Sequence, residues 1–285
     1  MKVKEMNHII EVMSVLKKPT GLNNLKKISR EQYMIKDTGE ILDYNLSQTR
    51  ADNTAGLKHT FKKIRDLINT NFTGQKNEIH LTLTYAENMT DEKKLYTDFK
   101  AFWRRYVLKH GQADYLSIVE PQGRGAWHCH VLIKHLEKQK VFIPSKELEK
   151  LWGQGFIKIK TLEGVDNIGA YLSAYLGDVE ATDENIIEAF KQDIKAHVMV
   201  KEVEIEGIKK KFIKGGRLHL YPPGMNIYRK SKGIKHPEIV EMTYKKAKEK
   251  VGSQTPDFSR SISIFDENDL LVNTITYENY NTKRN

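Results

Sequence analysis

The sequence has a single cysteine, seven prolines and no long apolar run. The lone Cys129 excludes an internal disulfide and any zinc site built from several cysteines. No apolar stretch approaches the roughly 18 residues of a membrane-spanning helix, and the first residues lack the apolar core of a signal peptide. Repeats and low-complexity linkers are missing as well. We therefore expect a cytoplasmic protein without a membrane partner.

The composition is that of a folded chain with a basic surface. Hydrophobic residues make up 39% of the 285 positions and charged residues 29%, which is typical of a globular protein with a core. There are 47 Lys and Arg against 37 Asp and Glu, a formal net charge of +10. Such a charge favours a polyanionic partner, and nucleic acid before a membrane. The alternative is a cation-rich surface that serves solubility alone.

The hydrophobic periodicity changes repeatedly along the chain and predicts mixed secondary structure. The order β-α-β-β-α-β-α indicates an α/β (α+β) fold with a mainly antiparallel sheet. Residues 1–54 look irregular, and the tail beyond about 252 looks peripheral. The predicted helices are 55–71, 91–110, 145–152, 166–176 and 183–196, and the predicted strands are 79–85, 114–120, 126–134 and 156–160, with a hairpin around Gly207.

One predicted strand carries two histidines in the stretch EPQGRGAWHCHVLIK, residues 120–134. Residues two apart on a strand share a face, so His128 and His130 project together and Cys129 faces the other way. Glu120 ends the preceding strand, and the short turn can bring its carboxylate to the same face. Two imidazoles and a carboxylate can hold Mg²⁺ or Mn²⁺ beside a phosphate. The alternative is a pair of structural histidines.

A predicted helix further along carries two tyrosines in the stretch GAYLSAYLGD. Tyr171 and Tyr175 are four residues apart and therefore share one helix face. Packing is the ordinary role of such tyrosines. Beside a metal, a tyrosine oxygen can instead attack a DNA phosphate and form a phosphotyrosine ester, a step that a free 3′ hydroxyl can reverse.

Taken together, these motifs resemble those of the HUH endonucleases, in particular the rolling-circle replication initiators (Rep proteins) of plasmids, phages and related elements of Gram-positive bacteria. The resemblance covers about residues 55–235. It rests on the strand HLTLTY at 80–85, the pattern ExxxRGxxHxH that starts at Glu120, the helix YLSAY at 171–175, and the segment 215–234.

The resemblance implies a fold and roles for the site residues. The fold is a central, mainly antiparallel five-stranded sheet flanked by helices, the HUH endonuclease (RRM/palm-like) fold. His128 and His130 become metal ligands and Glu120 the third ligand of a divalent cation, Mg²⁺ or Mn²⁺. Tyr175 becomes the first choice for nucleophile, and Tyr171 a second nucleophile or a helper in the closing step.

One departure from the family pattern concerns phosphate handling. Relatives often have a lysine between the tyrosines, where Ala174 stands here, so its function must come from elsewhere or be absent. The chain also has no helicase domain, which implies a host helicase and polymerase as partners. The predicted division is an N-terminal extension with a basic amphipathic helix (1–75), the nicking and strand-transfer domain (76–235), and a C-terminal helix with a peripheral tail (236–285).

Basic residues interleaved with aromatics are the candidate contacts to single-stranded origin DNA, with a hairpin or an adjacent duplex, because cations neutralise phosphates and rings stack on bases. A solvated surface is the alternative. The predicted contacts are Arg124, Lys209, Lys210, Lys211, Lys214, Arg217, Arg229 and Lys230.

These observations predict a metal-dependent single-strand DNA endonuclease and strand-transferase in the bacterial cytoplasm. It nicks a replication origin through a 5′-phosphotyrosine and so initiates and terminates rolling-circle replication. A mobilisation relaxase or transposase of the same fold remains open. From other classes, a non-catalytic origin-binding repressor and a phosphodiesterase for small esters also remain.

Overall fold

The computed structural model describes residues 1–17, 25–29, 31–44, 54–122, 125–173, 179–180, 200–205, 208–213, 220–222 and 224–284. The chain forms two compact units. The first unit comprises residues 1–48 and 238–285, and the second comprises residues 49–237. The predicted helix at 183–196 lies outside the described residues.

Strands and helices alternate along the chain. In chain order the elements are β1 (Lys2–Met6), β2 (Ile9–Val15), β3 (Leu25–Lys27), β4 (Gln32–Ile35), β5 (Ile41–Asp43), α1 (Thr54–Asn71), β6 (Glu78–Leu83), α2 (Glu92–His110), β7 (Ala113–Pro121), β8 (Trp127–His135), α3 (Ser145–Trp152), β9 (Ile157–Thr161), α4 (Ile168–Ser173), β10 (Val179–Glu180), β11 (Val200–Ile205), β12 (Ile208–Ile213), β13 (Tyr228–Lys230), β14 (Glu238–Glu241), α5 (Tyr244–Val251), β15 (Phe258–Phe265), β16 (Leu271–Asn281) and a 3₁₀ turn (Thr282–Arg284).

The first unit is built around a five-stranded antiparallel sheet in the order β14-β1-β2-β16-β15. A separate sheet has the order β3-β4-β5. Helix α5 packs on one face of the five-stranded sheet. The small core that they form is made of Val3, Ile10, Val12, Ala247, Val251 and Tyr280.

The expectation of irregular structure before residue 54 and a peripheral tail after 252 was therefore wrong. Strand β2, near the start of the chain, pairs with β16, near its end. Strand β1 likewise pairs with β14. Local periodicity does not reveal pairing between segments so far apart in the sequence.

The core of the second unit is a five-stranded antiparallel sheet in the order β13-β7-β8-β6-β9. The predicted α+β class with a five-stranded, mainly antiparallel sheet flanked by helices is confirmed. Alternation on β8 sends Trp127, Cys129 and Val131 into one buried layer. Helix α2 lies on that side, since its Tyr106 hydroxyl contacts His135 of β8. Strands β11 and β12 form the predicted hairpin, and β10 pairs with β12.

Helices α1 and α4 lie on the opposite side of the sheet. Lys134 of β8 donates to the Asn71 carbonyl at the end of α1. The backbone N–H of Gly169 in α4 donates to Asn69 Oδ1 of α1 at 2.9 Å. A Cβ at Gly169 would overlap the Asn69 side chain, so glycine permits the close approach of the two helices. Helix α4 is thereby fixed beside the sheet.

Two helix starts are explained by local hydrogen bonds. Asp91 caps α2 by accepting from the N–H groups of Lys93 and Lys94. At α4, Asn167 Oδ1 accepts from the N–H of Ala170, so the cap is Asn167 and the predicted Asp166 cap was wrong. None of the helices in the described part of the chain has the length and apolarity to cross a membrane.

Candidate active site on the histidine face of the central sheet

The register of β7 and β8 brings the predicted metal ligands to one surface. Glu120 pairs directly with His128, and Ile118 pairs with His130. Directly paired residues of antiparallel strands project to the same side. We call this side, with Glu120, His128 and His130, the histidine face. Cys129 lies on the other side, where burial raises the pKa of its thiol to about 12.

Two of the three predicted ligands touch. Glu120 Oε2 lies 2.7 Å from His130 Nε2, and the Glu120 side chain is almost fully buried. His128 is half-buried on the same face. Among the described residues, no three His, Cys, Asp or Glu side chains converge as a ligand group for a metal ion. The donor types and the shared face fit a divalent cation, whereas His128 is not drawn into one group with the other two.

A third histidine joins this face and was not among the predicted site residues. His80 Nε2 lies 3.2 Å from His130 Nδ1, and Thr82 Oγ1 lies 3.3 Å from the same atom. Burial holds the pKa of His80 well below its usual value, and the neighbouring His130, Lys160 and Lys158 lower it further. His80 is therefore neutral near pH 7.

His80 escaped the sequence reading because its partner is set by register. The alternation in HLTLTY places His80 and Thr82 on one face of β6. Which face of β8 they meet depends on the pairing of Thr82 with His130, and a shift of one residue would reverse it.

The tyrosine helix contributes one described tyrosine to this region. The Lys160 ammonium on β9 donates to the Tyr171 hydroxyl oxygen at 3.3 Å. Lys160 pairs in register with His80, so its side chain starts on the histidine face. The structure therefore brings Tyr171 and a lysine together beside the imidazole cluster. The lysine that the family pattern has at position 174 has a spatial counterpart in Lys160.

The other predicted site residues are placed as follows. Arg124, Tyr175, Lys214 and Arg217 lie outside the described residues. Lys209 and Lys210 are on β12 without described side chains, and Lys211 is exposed there. Lys230 pairs with Leu116 on the histidine face and donates to the Ile234 carbonyl.

Arg229 points away from the imidazole cluster. It pairs with Ser117 on the side that helix α2 covers, and its guanidinium lies 3.5 Å from the centre of the Tyr96 ring. A guanidinium stacked on an aromatic ring is a stabilising arrangement in its own right. The structure therefore does not bring Arg229 together with the predicted metal ligands.

The histidine face combines three kinds of chemical group. A carboxylate and imidazoles can hold a divalent cation, a lysine ammonium can bind a phosphate, and a tyrosine hydroxyl can serve as a nucleophile. These groups come from β6, β7, β8, β9 and α4. Such a set suits phosphoryl transfer, in which catalysis is mostly positioning and charge stabilisation.

A comparison with protein families identifies part of this unit. Residues 78–180 match the model of a family of replication-associated proteins, the ORF2 family. The match covers about a third of the chain and includes Glu120, His128, His130 and both tyrosines of the predicted helix. It is consistent with a role in the initiation of replication. No curated protein and no solved structure matches the chain.

Proposed function

We propose that the protein is an HUH-type nicking endonuclease and strand-transferase that initiates and terminates rolling-circle replication at a single-stranded origin. The observation that carries the proposal is the histidine face itself, on which the contact between Glu120 and His130 lies near the contact between Lys160 and Tyr171. The match of residues 78–180 to a replication-associated family supports the same role.

The proposed reaction exchanges one phosphate ester for another. A tyrosine oxygen attacks the scissile phosphorus and forms a phosphotyrosine bond to the 5′ side while the bond to the 3′ oxygen breaks. The proton lost by the phenol balances the one that the leaving 3′ oxygen takes up. Attack of a 3′ hydroxyl on the phosphotyrosine reverses these steps and rejoins a strand, because the ester retains the energy of the original bond.

Individual residues have distinct tasks in this proposal. Glu120, His128 and His130 would hold the divalent cation, Mg²⁺ or Mn²⁺, which when bound polarises the scissile phosphate. His80 and Thr82 face Nδ1 of His130 and orient its ring, as outer partners of metal-binding histidines do. Tyr171 or Tyr175 supplies the attacking oxygen, and a host helicase and polymerase supply unwinding and synthesis.

Covalent capture tests the proposal and does not require a defined origin sequence. The protein is incubated with a randomised pool of single-stranded DNA and Mn²⁺, and adducts are isolated on a denaturing gel and sequenced. We expect an adduct with one preferred sequence that disappears with EDTA and in the Tyr171→Phe/Tyr175→Phe double variant. Single variants then rank the two tyrosines.

The matched control is Tyr244→Phe, because Tyr244 is an exposed tyrosine of the first unit. It should form the adduct at the wild-type rate. The proposal fails if the wild-type protein forms no adduct, or if the adduct survives removal of both Tyr171 and Tyr175. DNA binding that is insensitive to EDTA, without any adduct, would favour the origin-binding repressor.

A further inference from the structure

The edge strand β9 presents a row of side chains that the predicted site did not include. Lys158 pairs in register with Thr82, and Lys160 pairs with His80, so both lysines start on the histidine face. Ile157, the neighbour of Lys158, is buried and pairs with Leu83 on the opposite side. Strand β9 is the last strand of the central sheet at this side. The two lysines therefore stand at the rim of the histidine face.

Phe156 extends this row by one step. Its carbonyl accepts from the Thr84 N–H at 3.0 Å and from Thr84 Oγ1 at 2.8 Å, so the pairing with the chain after β6 continues past the strand end. The preceding Gly155 has no room for a side chain, since a Cβ there would lie 2.6 Å from the Ala86 nitrogen. The backbone of Phe156 is thus held in place while its side chain is 73% exposed.

We propose that Phe156, Lys158 and Lys160 form a binding track for single-stranded DNA that leads to the tyrosine hydroxyl. Phe156 stacks on a base, Lys158 holds one backbone phosphate, and Lys160 holds the phosphate that lies against Tyr171. The choice of DNA as ligand rests on the proposed function. The track itself rests on the register, the exposure and the contact between Lys160 and Tyr171.

The spacing and chemistry of the row suit an extended nucleic-acid strand. Alternate residues of a β-strand lie roughly 6.6 Å apart, so successive side chains on one face can meet successive nucleotides. Lysine neutralises phosphates, and an aromatic ring stacks on any base without regard to sequence. Lys158 is exposed and forms no ion pair with a carboxylate in the described part of the chain.

Solvation alone explains this pattern less well. An exposed lysine needs no further reason, and neither does one exposed aromatic residue. Here the aromatic residue and both lysines occupy alternate positions of one strand, on the face that carries the candidate active site. The last member of the row contacts the candidate nucleophile directly.

Equilibrium binding in the absence of metal tests the track separately from cleavage. Fluorescence anisotropy of labelled oligo(dT) is measured in EDTA over a series of salt concentrations. Phe156→Ala should weaken binding by about 5-fold or more and leave the salt dependence unchanged. Lys158→Ala and Lys160→Ala should each reduce the slope of log K against log salt by about 0.7.

Matched controls come from the same unit but outside β9. Phe142→Ala removes an aromatic side chain that is 87% exposed, and Lys146→Ala removes an exposed lysine of α3. Both should bind oligo(dT) as the wild type does. Lys158→Arg and Lys160→Arg keep the charge and should keep the salt slope, which separates loss of a phosphate contact from loss of folding.

The inference is overturned if the three β9 variants, with melting temperatures equal to that of the wild type, bind and respond to salt as the controls do. It is also overturned if Phe142→Ala and Lys146→Ala weaken binding as much as their counterparts on β9. Failure of the proposed function has a different signature, namely no covalent adduct from the wild type with Mn²⁺. Either result can occur without the other.

Discussion

His130 and His135 lie five residues apart on the same strand, and the odd spacing sends them to opposite faces of the sheet. His135 is 1% exposed and its Nε2 lies 2.7 Å from the buried Tyr106 hydroxyl. His130 meets a carboxylate on one ring nitrogen, and a histidine and a threonine on the other. The same residue type on one strand thus has a packing role on one side and a set of metal-compatible partners on the other.

The electrostatic surroundings sharpen this contrast. Burial lowers the pKa of His135 to about 4, and Lys138 and His110 lower it further. Its hydroxyl partner is equally desolvated, since burial raises the pKa of Tyr106. The side chains around His135 are mostly aromatic, including Tyr106, Trp103 and Phe102. The histidine face instead carries polar and cationic groups at its rim.

The largest expected effect comes from His130→Ala. We expect covalent adduct formation with Mn²⁺ to fall by at least about 100-fold, because even outer partners of metal ligands change affinity or activity 10–100-fold. The melting temperature should change little, since His130 is half-buried and its partners can reach solvent. Single-turnover adduct formation and thermal unfolding measure the two quantities.

The matched variant is His135→Ala, which should lower the melting temperature and leave adduct formation within about twofold at a temperature where the protein is folded. Its loss leaves the buried Tyr106 hydroxyl without a partner, at a cost of about 1–3 kcal/mol. Equal losses of activity in both variants would remove the functional distinction between the two faces.

Acid should act through the packed face. The pKa of His135 is about 4 in the folded chain against 6.5 for the free side chain, so the unfolded chain binds more protons between these values. Stability is therefore full above about pH 6.5 and falls as the pH drops toward 4, by at most about 3 kcal/mol from this group. Urea unfolding at pH 7 and pH 5 measures the loss.

His135→Gln provides the reference for this measurement. It removes the titrating group, so its stability should depend less on pH over this window than that of the wild type. The difference between the two proteins isolates His135 from other groups such as His110, whose pKa burial also lowers. An unchanged pH dependence in the variant would show that His135 is not the group concerned.

The smallest expected effect is that of Arg229→Ala on DNA binding. Arg229 lies on the packed side, stacked on Tyr96, and so should not contact DNA that follows the histidine face. Its variant should keep the wild-type salt slope with oligo(dT), whereas Lys158→Ala should not. A reduced slope for Arg229→Ala would restore the sequence-based prediction of a phosphate contact.

The sequence predicted the second unit in considerable detail. Alternation in IHLTLTY and AWHCHVLIK, together with the Asp91 cap, was sufficient for β6, β8 and α2. The shared face of His128 and His130 follows from the strand period alone. The position of Glu120 needed the register of β7 and β8, which the short turn made accessible.

The missed features all depend on pairing between distant segments. Lys160 joins Tyr171 only because β9 pairs with β6 and Gly169 lets α4 approach α1. In the first unit, β2 pairs with β16 from the opposite end of the chain. Strands such as Lys2–Met6 carry mixed polar and apolar residues without a strong local pattern, so only the assembled sheet identifies them.

The contact between Lys160 and Tyr171 has a consequence for how sequences of this kind are compared. The cation comes from the sheet, eleven residues before the tyrosine, and not from the tyrosine helix. Two solutions to one electrostatic need can replace each other during divergence. We therefore expect related chains without a lysine between the tyrosines to carry a basic residue at the equivalent of position 160, and chains with that lysine to be free to vary there. An alignment of related chains, scored at these two columns jointly, would reveal such an exchange.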